Sequence, residues 1–376
     1  MSERKRHYRG LIGLLKVHDL GPRRIRVLLE KTRVRTADDI FSIPVNRLLS
    51  IDGIGVSSAN NISSFDGWDD VDEIIGMTER AGADLIAFDD PHYPELLRHI
   101  FDPPVLLWVL GEKETLSNDG LAVIGTRNPG RYGKEQAEKW SARIVSSGLM
   151  VNSGLAYGVD TIAHQTTLNN GGRTVAVLGS GIDVIYPARN KSLVKAIIDK
   201  GGAVITEYLP GTKPVAVNFP GRNRIVSGMS HGVIVIESKI KGGSMITARY
   251  ALDQNREVFV VPHPLGDLSG EGCNYLIKTA QGKLIQSFQD ILDEISVPVN
   301  GEKRSESKSG SLKKWKGMEL NATETKICEI LEKGELHIDK LSENMGIQVQ
   351  ELHASLLELE LRGALKQRAG KIFHLH

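Results

Sequence analysis

Four short segments of this chain hold residues suited to gripping anions. Gly125-Thr126-Arg127 is followed by Arg131, and Phe219-Pro220-Gly221-Arg222-Asn223-Arg224 is the densest cationic stretch of the central region. Guanidinium groups are always charged and forked, so they match phosphate oxygens in pairs. Gly242-Gly243-Ser244 starts a helix-like run with free N–H groups and a hydroxyl, a nest for phosphate, and Lys239 and Lys241 lie just before it. In Ser153-Gly154-Leu155-Ala156-Tyr157-Gly158 the glycines let the loop lie close to a ligand. Arg189, beyond Tyr186-Pro187, is a further candidate cation.

The ligand is either a nucleotide cofactor or a nucleic-acid backbone. A dinucleotide loop of the G-x-G-x-x-G type approaches pyrophosphate through glycine backbone, whereas Gly125 to Gly133 carries Arg127, Arg131 and Tyr132. Four anion-binding loops on one crest can follow several consecutive phosphates, which one nucleotide cannot fill. Aromatic residues make up only 5% of the chain, yet Tyr132, Tyr157, Tyr186 and Phe219 all fall at this edge. Unpaired bases stack on such rings for about 1–3 kcal/mol each, so the pattern predicts single-stranded nucleic acid. Asp160 is a candidate N-cap and lies four residues before His164. The two form either an acid/base pair or a structural hydrogen bond, and no nucleophile or third ligand accompanies them.

Strand-like apolar runs place these loops. They lie at Leu121–Gly125, Leu149–Ser153, Thr174–Leu178, Ala203–Glu207, Gly232–Glu237 and Glu257–Val261, separated by helix-like patterns. Near-continuous Val/Ile runs alternating with helices predict a parallel sheet covered on both faces, with ligands outside the carboxyl ends of the strands. Val105–Leu110 is expected as an added strand. A helix over Asn223–Met229, with Ile225, Val226 and Met229 inward, would set Arg222 and Arg224 at a helix N-terminus, where the dipole favours an anion. A last helix pair is expected from Asn274 to Ile295.

The flanks differ in character. Residues 1–76 read as a small helical domain, with turns at Leu20-Gly21-Pro22 and Ile51-Asp52-Gly53-Ile54-Gly55. The second turn suits a helix-hairpin-helix contact to DNA phosphate, or an ordinary tight turn beside the acidic stretch Asp66 to Glu73. The central domain spans 77–295. Residues 296–320, with little to bury and five lysines (Lys303, Lys308, Lys313, Lys314, Lys316), read as a flexible linker. Residues 321–376 show three helical periods and a strand pair around Gly370, a winged-helix pattern. From Ala322 onward the formal charge is 7 basic minus 9 acidic, or −2, which weighs against strong duplex binding.

Composition limits the alternatives. The 376 residues carry a formal net charge of +1, so any polyanion site is a local patch. The two cysteines, Cys273 and Cys328, offer neither a disulfide framework nor metal-ligand spacing. The basic N-terminus is not followed by a signal-length apolar run, and no run reaches the roughly 18 apolar residues of a membrane span. A soluble cytoplasmic protein without metal or cofactor is expected.

Residues 83–295 resemble the DprA (also called Smf) family of DNA-processing proteins of natural transformation. The resemblance rests on Tyr93-Pro94-x-x-Leu97-like and Asp102-Pro103-Pro104 lead-ins, Gly-Thr-Arg at 125–127, Ser-Gly-x-Ala-x-Gly-x-Asp-x-x-Ala-His at 153–164, Tyr186-Pro187, Phe-Pro-x-Arg-Asn-Arg at 219–224, and Gly-Gly-Ser-x-x-Thr-Ala at 242–248. It implies an extended Rossmann-like α/β fold between a sterile-alpha-motif-like or helix-hairpin-helix-like N-terminal domain and a winged-helix C-terminal domain. It further implies single-stranded DNA binding with Arg127, Arg222 and Arg224 in the DNA pocket, a homodimer formed through the Rossmann-like domain, and loading of the RecA recombinase onto incoming DNA. His263 stands where the family usually has glycine. The competing class is a Rossmann-like nucleoside-monophosphate phosphoribohydrolase, which places a glutamate three residues after the threonine of its Gly-Gly-x-Gly-Thr loop. Here the residue three after Thr247 is Tyr250, so that acid is missing.

Overall fold

The computed structural model describes residues 2–295, 297, 314–318, 320–368 and 370–375. The chain opens with five helices: α1 (Glu3–Lys16), α2 (Pro22–Thr32), α3 (Val45–Leu49), α4 (Val56–Ser63) and α5 (Trp68–Ala81). Pro22 occupies the first position of α2, where its missing N–H costs no hydrogen bond. Gly53 has φ +87° in the turn before α4, a conformation that glycine takes without strain. Helix α5 runs past residue 76 to Ala81, and its Thr78 hydroxyl accepts from the Trp108 indole at 2.9 Å. One apolar cluster joins Leu11, Ile25, Leu28 and Ile62 of these helices to Trp108, Val204 and Ile197 of the central unit. The helical bundle is therefore built onto the sheet.

The central unit contains, in order, β1 (Asp84–Ala87), α6 (Glu95–Arg98), β2 (Leu106–Gly111), β3 (Gly120–Ile124), α7 (Arg131–Ser146), β4 (Met150–Ser153), α8 (Val159–Asn169), β5 (Thr174–Val177), α9 (Lys191–Asp199), β6 (Ala203–Thr206), α10 (Asn218–Gly228), β7 (Gly232–Val235), α11 (Gly243–Asp253), β8 (Glu257–Val260), α12 (Glu271–Lys278), β9 (Lys283–Leu284) and α13 (Gln289–Leu292). The nine strands pair in the order β1-β2-β6-β5-β4-β3-β7-β8-β9. From β6 to β9 every pairing is parallel, and β2 joins β6 antiparallel with β1 outside it. Side chains alternate between faces with the period of two that a strand imposes. Leu121 and Val123 pack on Trp140, Ile144 and Ala163, whereas Ala122 and Ile124 pack with Ile225, Val226 and Ala251. This explains the unbroken apolar runs.

The expected helix pair over 274–295 is instead α12, the edge strand β9 and the single turn α13. Leu276, Ile285, Ile291 and Ile295 are buried within the chain itself, leaving Tyr275 and Leu284 as the exposed apolar side chains of that stretch.

Residues 298–313 of the expected linker, including Lys303, Lys308 and Lys313, lie outside the described residues, and Lys314 begins a short 3-10 turn. Beyond it, α14 (Ala322–Leu331), β10 (Leu336–His337), α15 (Ile338–Met345), α16 (Val349–Leu361), β11 (Leu365–Arg368) and β12 (Ile372–Leu375) form three helices on a sheet of order β10-β12-β11. Asn321 and Glu324 make a reciprocal capping box at the start of α14. This is the winged-helix arrangement, with β10 as a third strand that the sequence pattern does not reveal.

Candidate nucleic-acid interface

In the parallel part of the sheet, β4, β5 and β6 lie on one side of β3, and β7, β8 and β9 on the other. The strand order reverses at β3, and loops leaving the carboxyl ends of β3 and β7 part there to open a crevice. A cavity of about 730 Å³ occupies this point. Gly125, Thr126 and Arg127 enter it from β3, Gly154 from β4, Tyr186 from the loop beyond β5, and Lys239, Lys241, Gly243 and Ser244 from the β7–α11 connection. Phe219, Arg222 and Asn223 of α10 form another wall.

Exposed cations stand at its mouth. Arg127, Lys239 and Lys241 are exposed, and none of the three enters an ion pair among the described residues. The Arg127 guanidinium carbon lies 5.8 Å from the Phe219 ring centroid, and Phe219 and Tyr186 meet at 5.6 Å with a 47° tilt. Helix α11 opens on glycine without a side-chain cap, and the Ser244 hydroxyl donates to Ser238 at 2.7 Å. Charge, unfilled helix amides and two rings thus face one space.

The two inner arginines are placed differently from the expectation. Helix α10 starts at Asn218, because Pro220 fits a first helical turn where its missing N–H is no loss. Arg222 and Arg224 therefore fall in the helix body and are only 4% and 6% exposed. Arg222 lies under the cavity, donates to the Gly154 and Val177 carbonyls, and leaves its Nε without a partner. Burial lowers its pKa to about 10, against a smaller opposing pull from Asp160. Gly154 leaves room for it: a Cβ there would lie 2.5 Å from that guanidinium, which would have to shift. Arg224 turns to the opposite side of α10. It bonds Glu207 through both terminal nitrogens, at 2.5 and 2.7 Å, and Asp102 through Nε at 2.9 Å. Burial works against its charge, but the two carboxylates outweigh burial and raise its pKa.

Two of the expected anion-binding loops already hold internal carboxylates. Glu237, 1% exposed, accepts from the Gly130 N–H that begins α7. Asp160 accepts from the Gly154 and Ala156 amides at 3.1 and 3.2 Å. It is the second residue of α8 rather than its N-cap, which is Gly158 with φ +77°. Burial raises the Asp160 pKa, partly offset by Arg222 and those amides. Nothing in the motif pattern singles out Glu237; the one signal is a carboxylate directly after the apolar run Val233–Ile236.

Several other candidates stand away from the cavity. Arg131 pairs with Glu135 at 2.8 Å. The Tyr132 hydroxyl donates to Pro262 O at 3.2 Å, and the ring meets His263 edge-on. Ser153 is buried and donates to Val123 O. Gly158, Tyr157 and Arg189 do not line the cavity. His164 is not bonded to Asp160. Its Nδ1 meets the Thr174 hydroxyl at 2.7 Å, and that hydroxyl donates to Val151 O, so Nδ1 must be the donor. Burial, with help from Arg222, lowers the His164 pKa from 6.5 to about 3. The folded state thus resists protonation that the unfolded state accepts. This stabilising effect is complete above pH 6.5 and is lost as pH falls toward 3. Urea midpoints measured from pH 7 down to pH 4 should decline for the wild type more steeply than for His164→Gln; parallel declines would refute this.

The family model described as "DNA recombination-mediator protein A" matches residues 84–296, and a DprA winged-helix model matches residues 316–371. The protein Smf of Escherichia coli is 35% identical over 286 residues, covering 76% of this chain and 75% of the relative. The chain belongs to the DNA recombination-mediator protein A family. The DNA processing protein DprA of Streptococcus pneumoniae is 42% identical over 205 residues, 54% of this chain and 72% of its own. A solved structure of DNA processing protein A from Streptococcus pneumoniae superposes with TM-score 0.65 at 33% identity, covering 76% of this chain and 96% of that one. A second, from Helicobacter pylori, is described by its single-stranded DNA binding mode; it gives TM-score 0.51 at 28% identity over 57% of this chain and 96% of that one. Among the described residues no cluster of three His, Cys, Asp or Glu could hold a metal, and no helix is long and apolar enough to cross a membrane.

Proposed function

We propose that this chain is a single-stranded DNA-binding recombination mediator of the cytoplasm, acting without catalysis. The observation that carries the reading is the crevice at the strand-order reversal, where Arg127, Lys239 and Lys241, outside every ion pair among the described residues, stand beside Tyr186 and Phe219. Cations hold phosphates, and rings receive bases that only an unpaired strand presents. The Helicobacter pylori relative, described as binding single-stranded DNA, supports the same ligand. Against a phosphoribohydrolase stand Tyr250 in place of the required acid, His164 turned to Thr174, and Asp160 held by loop amides. Incubation with AMP should release no adenine; steady release would revive the enzyme.

Oligo-dT should bind more tightly than the matching duplex. Its affinity should fall with salt at a slope near −0.7 per phosphate neutralised. Equal affinities in a gel-shift titration would remove the proposal.

Protection of incoming DNA, dimerisation through the central domain and loading of RecA rest on family membership. Light scattering at tens of micromolar should report a dimer, and RecA strand exchange on DNA coated with single-strand-binding protein should accelerate when the chain is added. A lasting monomer, or no acceleration, would count against each in turn.

A further inference from the structure

A second cavity, of about 700 Å³, lies on the other side of α10 from the first. Phe219, Pro220, Arg222 and Asn223 line the crest cavity, whereas Gly221 and Arg224 line this one. The first two turns of a single helix therefore separate the two spaces. The far wall of the second is the N-terminal bundle, through Gly21, Pro22, Arg23 and Arg24 at the start of α2. Tyr208 and Tyr250 complete it.

The chemistry of this wall resembles that of the crest. Arg23 and Arg24 are exposed, and the Arg23 guanidinium carbon sits 4.8 Å from the ring centroid of Phe101. Phe101 is 75% exposed, an aromatic face held open in solvent with no core to fill. The two carboxylates of the cavity, Asp102 and Glu207, are both engaged by Arg224, so Arg23 and Arg24 leave the rim positive. The Tyr208 hydroxyl donates to Asn218 O at 2.9 Å, and burial raises its pKa to about 12, so it stays neutral.

We infer that the N-terminal bundle extends the strand-binding surface: single-stranded nucleic acid held at the crest continues over Gly221 onto Arg23, Arg24 and the Phe101 ring. This rests on the crest reading above and deepens it. A Cβ at Gly221 would lie 3.2 Å from the Tyr208 hydroxyl, so glycine lets the helix and that tyrosine approach closely at the crossing. Guanidinium groups and an open ring, repeated on both sides of a thin wall, suit a polymer of alternating phosphates and bases.

The test compares full-length wild type with R23A/R24A on oligo-dT of about 6 and about 20 nucleotides, which bracket the usual site sizes of single-strand grooves. Wild type should bind the longer oligonucleotide at least tenfold more tightly than the shorter, after correction for the number of registers. R23A/R24A should lose most of that gain, with its salt slope reduced by about 1.4 for two phosphates, and should bind the short oligonucleotide as wild type does. F101A should give a smaller loss of the same kind. An undiminished length gain in R23A/R24A overturns the extension and leaves the crest reading standing. Failure of wild type to bind either oligonucleotide overturns both. Arg23 and Arg24 are exposed, so unchanged circular dichroism is expected.

Discussion

Replacing Arg224 by alanine is expected to lower folding stability by about 3–5 kcal/mol, the range found when one partner of a buried ion pair is removed. The guanidinium is 7% exposed as a side chain, and it is the ion-pair partner of Glu207, itself 15% exposed. Its removal would leave Glu207 charged and largely desolvated, and would free Asp102 as well. The thermal midpoint should drop by roughly 6–20 °C for a domain of this size. Urea unfolding of Arg224→Ala alone and together with Glu207→Gln decides the point: the second substitution should recover part of the loss, since it removes the stranded charge. A loss under about 1 kcal/mol for Arg224→Ala would return this arginine to the role of a surface cation. Weak DNA binding by a poorly folded Arg224 variant would therefore say nothing about phosphate contact.

The strands were legible because both faces of the sheet are covered, so each strand is written as an apolar run. The loops were legible because glycine and arginine cluster after those runs. What the sequence did not show was the direction of the arginines. Arg222 and Arg224 are two residues apart, and two residues on a helix are about 200° apart, so they must face nearly opposite ways. Placing the helix start at Asn223 hid this, because residues before a helix have no fixed facing. The helix in fact begins five residues earlier, at Asn218, with Pro220 in its first turn. The carboxylates were hidden for another reason. Glu237 reaches Gly130 across 107 positions, and no local pattern reports a partner that distant. The same is true of Trp108 and Thr78, whose bond ties the last helix of the N-terminal bundle to the sheet across 30 positions.

These placements shift the expected phosphate contacts from the helix to the loops. Arg127→Ala combined with Lys241→Ala should weaken oligo-dT binding at least tenfold, about 1.4 kcal/mol, with the salt slope reduced by about 1.4 for two lost phosphates. Both side chains are exposed and outside every ion pair among the described residues, so the unfolding midpoint should not move. Arg131→Ala with Arg189→Ala is the matched control: it removes the same number of charges from the same edge, but Arg131 holds Glu135 and neither lines the cavity. If binding followed charge alone, the two double variants would lose affinity equally. If it follows the geometry of the crevice, the loss belongs to Arg127 and Lys241, because these, unlike Arg131 and Arg189, line the cavity together with Phe219 and Tyr186. Fluorescence anisotropy on both variants separates the cases, and a folded Arg127/Lys241 variant that binds as wild type does would place the DNA elsewhere on the molecule.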